Sequence, residues 1–339
     1  MAALLIGAPG APWLTAVIAV LLGGIVLAAV HHAETLAHYL GEPFGTLLLA
    51  VAVTVIETAL IVSIMLTDSA SSQTLARDTV FAAMMIVMNG IIGVCLLVGG
   101  GRHHEQGFTQ YGVSAGLAML STLMVLTLVL PNYTTSAAGP VYTHPQLVFV
   151  AIVSLVIYGA FVVAQTVRHR DYFLYDQAES GEHEASVGRA LAGVSFLLMV
   201  AALVAVVLLA KSLSPAIKAG VKAIGAPQAM VGIIIALLVL LPEGLSALRA
   251  ARSDRLQTSL NLAIGSALAT TGLTIPAVAA VSILLGLNLV LGLSPVEITL
   301  LVLTMFVASL SLGTGRTTFI QGVIHLVLFA TFLFTTLVP

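Results

Sequence analysis

Charged side chains are scarce in this chain. Asp, Glu, Lys and Arg make up 8% of its 339 residues, against about 25% in soluble domains. The formal net charge of −2 is too small to favour nucleic acid or a strongly charged protein as a partner. We therefore expect no nucleic-acid partner, and we expect no cofactor.

Cysteine is almost absent as well. Cys95 is the single cysteine and lies in an apolar run, which excludes an internal disulfide framework and a thiolate metal cluster. The first 30 residues contain no Lys or Arg, so the charged region that begins a signal peptide is missing. We interpret residues 12–30 as a first spanning helix rather than as a cleaved segment.

Apolar residues are abundant instead. They make up 59% of the chain, and the mean hydropathy is +1.13. Because a bilayer core is crossed by about 20 apolar residues in a helix, the sequence predicts an all-α polytopic membrane protein with about ten transmembrane helices. The predicted spans are 12–30, 44–66, 79–99, 111–131, 146–167, 189–211, 226–248, 258–284, 296–312 and 317–337.

One polar segment lies near the middle of the chain. It divides the sequence into a first half (1–167), an acidic linker (168–188) and a second half (189–339). Lys and Arg are more numerous in the loops on the linker's side, which predicts that the linker is cytoplasmic. Its acidic residues form either a solvated face or a regulatory cation sensor. The candidates for that sensor are Glu179, Glu182 and Glu184.

Two glutamates interrupt otherwise apolar spans. Glu57 and Glu243 each follow about 15 apolar residues that begin after a Gly and a Pro. The two spans are the second and the seventh in the chain, five positions apart, and this odd offset means that they enter the membrane from opposite sides. This pattern predicts two inverted five-helix repeats, the plan that in secondary transporters places a binding site near the midplane. A glutamate inside a span is costly and is a functional candidate by default.

Further oxygen atoms lie at helical spacing around these glutamates or in the next helix of each half. A proline inside a helix has no N–H group and therefore frees the carbonyl four residues earlier. The candidates are the side chains of Thr54, Asn89, Ser266 and Thr270, and the carbonyls of Leu238 and Gly272, which Pro242 and Pro276 free.

These oxygen donors predict a site for a hard cation. Ca²⁺ takes six to eight oxygen ligands, and two carboxylates balance either one Ca²⁺ or two protons. Burial disfavours a charged carboxylate, so Glu57 and Glu243 should hold protons until a cation displaces them. The competition predicts cation/proton exchange. The alternative is that each glutamate is protonated and hydrogen-bonds two helices, and that Asn89 makes an ordinary interhelical hydrogen bond.

Three residues nearer the predicted membrane surfaces are candidates for a regulatory or access role. Asp78 follows Arg77, so an interfacial ion pair is the alternative for it. His31 and His32 begin a polar segment at a membrane edge and lack the spacing of a zinc motif. Interfacial polar residues are the alternative there, and proton access is the functional interpretation.

Four stretches of the sequence resemble the calcium/cation antiporter superfamily, and within it the bacterial calcium/proton (sodium-potassium/proton) antiporter group. They are "LAHYLGEPFGTLLLAVAVTVIET" from Leu36, "LLPEGLSALRAA" from Leu240, "NLAIGSALATTGLTIPAV" from Asn261 and "SLGTGRTTFIQGVIHLVLFA" from Ser311.

The resemblance implies two inverted repeats in which one glutamate from each half binds cation and proton. These are Glu57 and Glu243 here. It also implies that Asn89 serves the first repeat, and that Ser266 and Thr270 serve the second. A bacterial antiporter of this group is expected in the inner membrane.

We therefore expect a membrane antiporter and not an enzyme. Its partners are the lipid bilayer, protons and an inorganic cation, with Ca²⁺ the first candidate and Na⁺ or K⁺ the next. A cation channel and an intramembrane metalloprotease are the alternatives. The sequence leaves the oligomeric state open.

Overall fold

The computed structural model describes residues 12–40, 44–67, 73–101, 105–168 and 188–338. Within these ranges the chain forms ten long helices and two short strands, β1 (Gln106–Gly107) and β2 (Arg316–Thr317). The helices are α1 (Pro12–Leu40), α2 (Phe44–Thr67), α3 (Leu75–Gly100), α4 (Gln110–Asn132), α5 (His144–Arg168), α6 (Arg189–Ala223), α7 (Ala229–Arg252), α8 (Leu256–Leu285), α9 (Pro295–Leu312) and α10 (Phe319–Leu337).

The helices have the length and composition of membrane spans. Nine of them, counted over the described residues, are long and apolar enough to cross a bilayer. The tenth, α2, has 24 residues and is apolar over Val51–Ser63. Helices satisfy their backbone hydrogen bonds internally, as a lipid environment requires. The prediction of an all-α polytopic membrane protein is confirmed.

Contacts between the two halves come in matching pairs. Helix α3 packs against α10 as α8 packs against α5, and α2 packs against α8 as α7 packs against α3. The connections behave in the same way. Strand β1, between α3 and α4, pairs with β2, between α9 and α10, while Val141 and Val290 form a bridge between the α4–α5 and α8–α9 connections. Because successive helices alternate in direction, these two cross-connections lie at opposite ends of the bundle, as inverted repeats require.

The fifth helix of each half begins in the same way. In α5 the backbone N–H of Thr143 donates to the side chain of Gln146 at 2.9 Å, and in α10 that of Thr318 donates to Gln321 at 2.9 Å. Both are capping boxes, in which the cap residue and the third helical residue satisfy each other's free backbone donors. This Thr-x-x-Gln repeat is a further sequence feature that marks the two halves.

Helices α3 and α8 form the centre of the bundle, and each contains a π-helical turn. In α3 the turn is Ile86–Ile91, and in α8 it is Thr270–Thr274. The second turn ends two residues before Pro276, which has no N–H group to donate to the carbonyl of Gly272. The helix therefore widens at this point and continues to Leu285 without a break. Such turns are frequent at functional sites.

Two predicted boundaries are wrong. Helix α1 continues past residue 30 to Leu40, and α6 continues past residue 211 to Ala223. In α1 the extension is stabilised by Ala33 and Leu36, which are buried against α2 and α6. Hydropathy identifies the apolar part of a helix, whereas these polar extensions depend on packing against other helices.

Candidate functional site

Glu57 lies in the interior of the bundle. Its side chain is 2% exposed and points from α2 toward the π-helical turn of α8. The hydroxyl of Thr274 donates to Glu57 Oε2 at 3.3 Å, and the hydroxyl of Thr270 is a second hydrogen-bonding neighbour. Thr54, one turn earlier in α2, is also buried. The π-helical turn therefore presents two hydroxyl oxygens to a carboxylate on another helix.

Glu243 approaches the same region from the other half. Its Oε2 atom is buried and has no hydrogen-bond partner among the described residues. Its carboxylate interacts electrostatically with those of Glu57 and Glu34. The adjacent Gly244 lies against Ile91 of the α3 turn, because a Cβ atom on Gly244 would come within 3.2 Å of the Ile91 side chain. Glu243 thus lies next to the π-helical turn of α3 and within electrostatic range of the first-half glutamate.

Two residues of this region were not predicted. Thr274 lies four positions after Thr270 and shares its helix face, so helical periodicity was the signal available for it. Glu34 lies in the polar end of α1, and no sequence pattern connected it with Glu243. Ser266, which was predicted, lies half-buried one turn before Thr270, and its role as an ion ligand stays a prediction.

Asn89 belongs to a second buried network. Its Nδ2 donates to Thr304 Oγ1 at 2.8 Å, and its Oδ1 lies 3.1 Å from Nδ1 of His325. All three side chains are fully buried. Since the amide nitrogen faces Thr304, the ring nitrogen of His325 is the donor to Oδ1. The arrangement is the interhelical hydrogen bond that was the alternative for Asn89, and it joins α3 to α9 and α10.

The two predicted backbone ligands are on α7 and α8. Leu238 is in α7 and contacts α1 near Gly23, while Gly272 lies inside the π-helical turn of α8. A Cβ atom on Gly272 would come within 2.8 Å of Cβ of Tyr158, so glycine permits the close approach of α5. A role for either carbonyl in binding an ion stays a prediction.

Asp78 forms an ion pair at the start of α3. Its Oδ1 is 2.7 Å from Nη2 of Arg77, and its Oδ2 accepts from the hydroxyl of Thr74 at 2.9 Å. Arg77 also donates to the carbonyl of Gly292 at 3.0 Å. The pair therefore fastens α3 to the connection between α8 and α9, which agrees with the ion-pair interpretation.

The remaining candidates are on α1 or in the central segment. His31 and His32 are neighbours on α1, with ring centroids 5.5 Å apart, and Nδ1 of His32 is buried without a partner in the described ranges. Glu179, Glu182 and Glu184 lie outside the described residues. Across the described part of the chain, no group of three His, Cys, Asp or Glu side chains is arranged to hold a metal ion. A catalytic zinc site with three protein ligands, which the metalloprotease alternative needs, is therefore not found there.

Most of the chain matches the sequence profile of one known protein family. The sequence profile of the family described as "Sodium/calcium exchanger protein" matches residues 10–167 and 194–338. The chain belongs to this family. Its members are ion exchangers, so the protein is a membrane antiporter rather than an enzyme, and the metalloprotease alternative is wrong.

Individual relatives agree with the family. The chain is 51% identical over 322 residues to y4hA of Sinorhizobium fredii, which is named as an ionic transporter, covering 94% of this chain and 87% of the relative. It is 35% identical over 310 residues to the sodium-potassium/proton antiporter ChaA of Escherichia coli, covering 90% and 84%.

Solved structures of low sequence identity share the fold. Native YfkE superposes with a TM-score of 0.75 at 18% identity, covering 96% of this chain and 92% of YfkE. The H⁺/Ca²⁺ exchanger CAX superposes with a TM-score of 0.71 at 15% identity, covering 94% and 82%. The helical architecture is therefore that of known exchangers.

Proposed function

We propose that the protein exchanges an inorganic cation for protons by alternating access, and that Glu57 and Glu243 bind both. The observation that carries the proposal is the unpartnered, buried Oε2 of Glu243, whose carboxylate is within electrostatic range of that of Glu57. A buried polar atom without a partner is costly. A proton or a cation between the two glutamates removes that cost.

The charges favour competition between the two kinds of ion. Two neighbouring carboxylates in a dry site repel each other when both are ionised. Two protons neutralise them, and so does one Ca²⁺. One Na⁺ or K⁺ neutralises one carboxylate and leaves the other to a proton. In each case an entering cation displaces at least one proton, since a carboxylate oxygen cannot serve both.

The ligands available favour Ca²⁺ first, with Na⁺ or K⁺ as the other candidates. Glu57, Glu243, Thr270 and Thr274 offer up to six oxygen atoms, and the carbonyl of Leu238 is a further candidate. Ca²⁺ accepts irregular shells of six to eight oxygens. The relatives support both ion classes, because ChaA is named a sodium-potassium/proton antiporter and CAX an H⁺/Ca²⁺ exchanger.

The inverted repeats support alternating access. Each half brings one glutamate to the shared site, and the halves approach it from opposite sides of the membrane. Two such repeats give two related packing arrangements that open the same site to one side or the other. The bacterial relatives support a location in the inner membrane, and the charge distribution supports a cytoplasmic central segment.

Everted membrane vesicles with a fluorescent pH dye test the proposal. After respiration has acidified the vesicle interior, adding Ca²⁺, Na⁺ or K⁺ should dissipate the pH gradient. Glu57→Gln and Glu243→Gln keep the shape of the side chains but remove their charge, so each should abolish this effect. Glu105→Gln is the matched control, since Glu105 is an exposed residue paired with Arg316 at the surface.

Two outcomes would overturn the proposal. Exchange that persists at the wild-type rate in both glutamine variants would show that other groups carry the ions. Cation flux that is the same with and without a pH gradient, and releases no protons, would favour a channel.

A further inference from the structure

Glu34 is a carboxylate that the proposed function has not used. It lies on α1, six residues before the helix ends at Leu40, and is half-buried. Within the described ranges, no hydrogen bond or ion pair of its side chain to another residue is found. Its electrostatic neighbour is Glu243 on α7. Two carboxylates of like charge within electrostatic range of each other are unfavourable in a partly buried environment unless cations or protons visit the space between them.

The register of α1 against α7 fixes where Glu34 lies along the membrane. A Cβ atom on Gly23 would be 4.0 Å from Cδ1 of Leu238, so these residues are level. Five helices separate α1 from α7 in the sequence, and alternating crossings make the two helices parallel. At about 1.5 Å per residue, Glu243 is about 7 Å beyond that level and Glu34 about 16 Å. Glu34 is therefore about 9 Å nearer the membrane face at which both helices end.

The three glutamates follow one another in depth from this face. Measured from the end of α1 on this register, Glu34 is about 9 Å deep and Glu243 about 18 Å deep. Helix α2 starts at the same face, and Glu57 is about 20 Å from its first residue, Phe44. The sequence of depths leads from the surface to the glutamate pair.

We propose that Glu34 is a third carboxylate of the cation pathway, lining the route between the Glu57–Glu243 pair and the face at which α1 ends. This inference rests on the proposed function and adds a residue that sets the affinity for the cation. Its negative charge attracts a cation that approaches or leaves Glu243 on this side. The unpartnered Oε2 of Glu243 marks the inner end of the route.

The charge of Glu34 predicts a relation between the effects of two substitutions. At about 10 Å, with an effective dielectric constant between those of protein and water, removing one charge changes the affinity for a monovalent cation by about fourfold. The interaction energy is proportional to the charge of the ion, so a divalent cation should change by about the square of this factor, roughly fifteenfold. Glu34→Lys changes the charge by two units, so it should give about the square of the effect of Glu34→Gln for the same ion.

The experiment is the vesicle assay over a range of cation concentrations. Glu34→Gln should raise the half-saturating cation concentration, and Glu34→Lys should raise it by about the square of that factor. Glu34→Asp, which keeps the charge, should stay within about twofold of wild type, and the surface control Glu105→Gln should not change. Thermal melting of each purified variant separates loss of affinity from loss of folded protein.

The outcomes distinguish this inference from the proposed function. If Glu34→Gln and Glu34→Lys leave the half-saturating concentration unchanged while Glu57→Gln abolishes exchange, the role of Glu34 is wrong and the proposed function stands. Equal effects of Gln, Lys and Asp would show a role in packing rather than a role of charge, and would also overturn the inference. Wild-type vesicles without proton-coupled flux would overturn the proposed function itself.

Discussion

The network of Asn89, Thr304 and His325 allows a prediction about stability. Asn89→Leu fills a similar volume but removes both hydrogen-bonding groups of the amide. It leaves the ring N–H of His325 and the hydroxyl of Thr304 without their Asn89 partner in a fully buried environment. Each buried group left unpaired costs about 1–3 kcal/mol. Because the hydroxyl of Thr304 keeps the sulfur of Met85 as an acceptor at 3.6 Å, the expected loss is in the lower part of the range for two groups, about 3 kcal/mol.

The loss should be partly reversed by a second substitution. In the double variant Asn89→Leu/His325→Leu the ring N–H is gone, and Thr304 alone has lost its Asn89 partner while its hydroxyl keeps the sulfur of Met85 as an acceptor. Replacing both partners of a buried hydrogen bond by apolar groups is close to neutral. At roughly 2 °C per kcal/mol, Asn89→Leu should melt about 6 °C below wild type, and the double variant should recover a substantial part of that difference.

The protein contains a suitable reporter for this measurement. Cys95 is its single cysteine and is 1% exposed, so a thiol-reactive fluorogenic dye reports unfolding without an introduced cysteine. An Asn89→Leu variant that melts like wild type, or a double variant that melts at the sum of the two single losses, would refute the reasoning. If Asn89→Leu instead abolished exchange at an unchanged melting temperature, Asn89 would be an ion ligand.

Two further predictions concern packing at the ends and centre of the bundle. Arg77→Met leaves the buried Asp78 without its counter-ion, so the variant should lose about 3–5 kcal/mol of stability. Adding Asp78→Asn should restore part of that loss. An unchanged melting temperature in the dye assay would contradict the role of the ion pair. Gly322→Ala places a Cβ atom within 2.6 Å of the Leu97 nitrogen, so it should separate α10 from α3 and reduce the yield of folded protein. Gly159→Ala is the control, because nothing lies within 4 Å of its added Cβ, and equal yields of the two variants would refute the argument.

The sequence predicted the helices well because a helix in lipid must be apolar along most of its length. A span must be apolar over about 20 residues, so hydropathy located all ten helices. It misplaced the ends of α1 and α6, whose polar extensions continue as helix through packing against neighbours. The same sequence did not reveal the π-helical turns, which arise where tertiary packing and Pro276 alter the hydrogen bonding of a helix.

The candidate site was predictable to the extent that its residues are costly in a membrane. Glu57 and Glu243 were conspicuous because each is a carboxylate in an apolar run. Thr274 and Thr304 are small hydroxyl residues of a kind that is ordinary in membrane helices, so only the fold shows what they contact. The relation of Glu34 to Glu243 could not be predicted from the sequence, because it depends on the register of α1 against α7.

The cross-connections at the two ends of the bundle have a consequence for how the molecule is built. Strands β1 and β2 join the halves at one end, and the Val141–Val290 bridge joins them at the other. The two halves are thus hydrogen-bonded to each other at both membrane faces, and these contacts do not depend on the central segment that joins the halves. Two polypeptides translated separately and inserted in opposite orientations carry every one of these contacts, so the single chain is equivalent to a fused pair of antiparallel subunits.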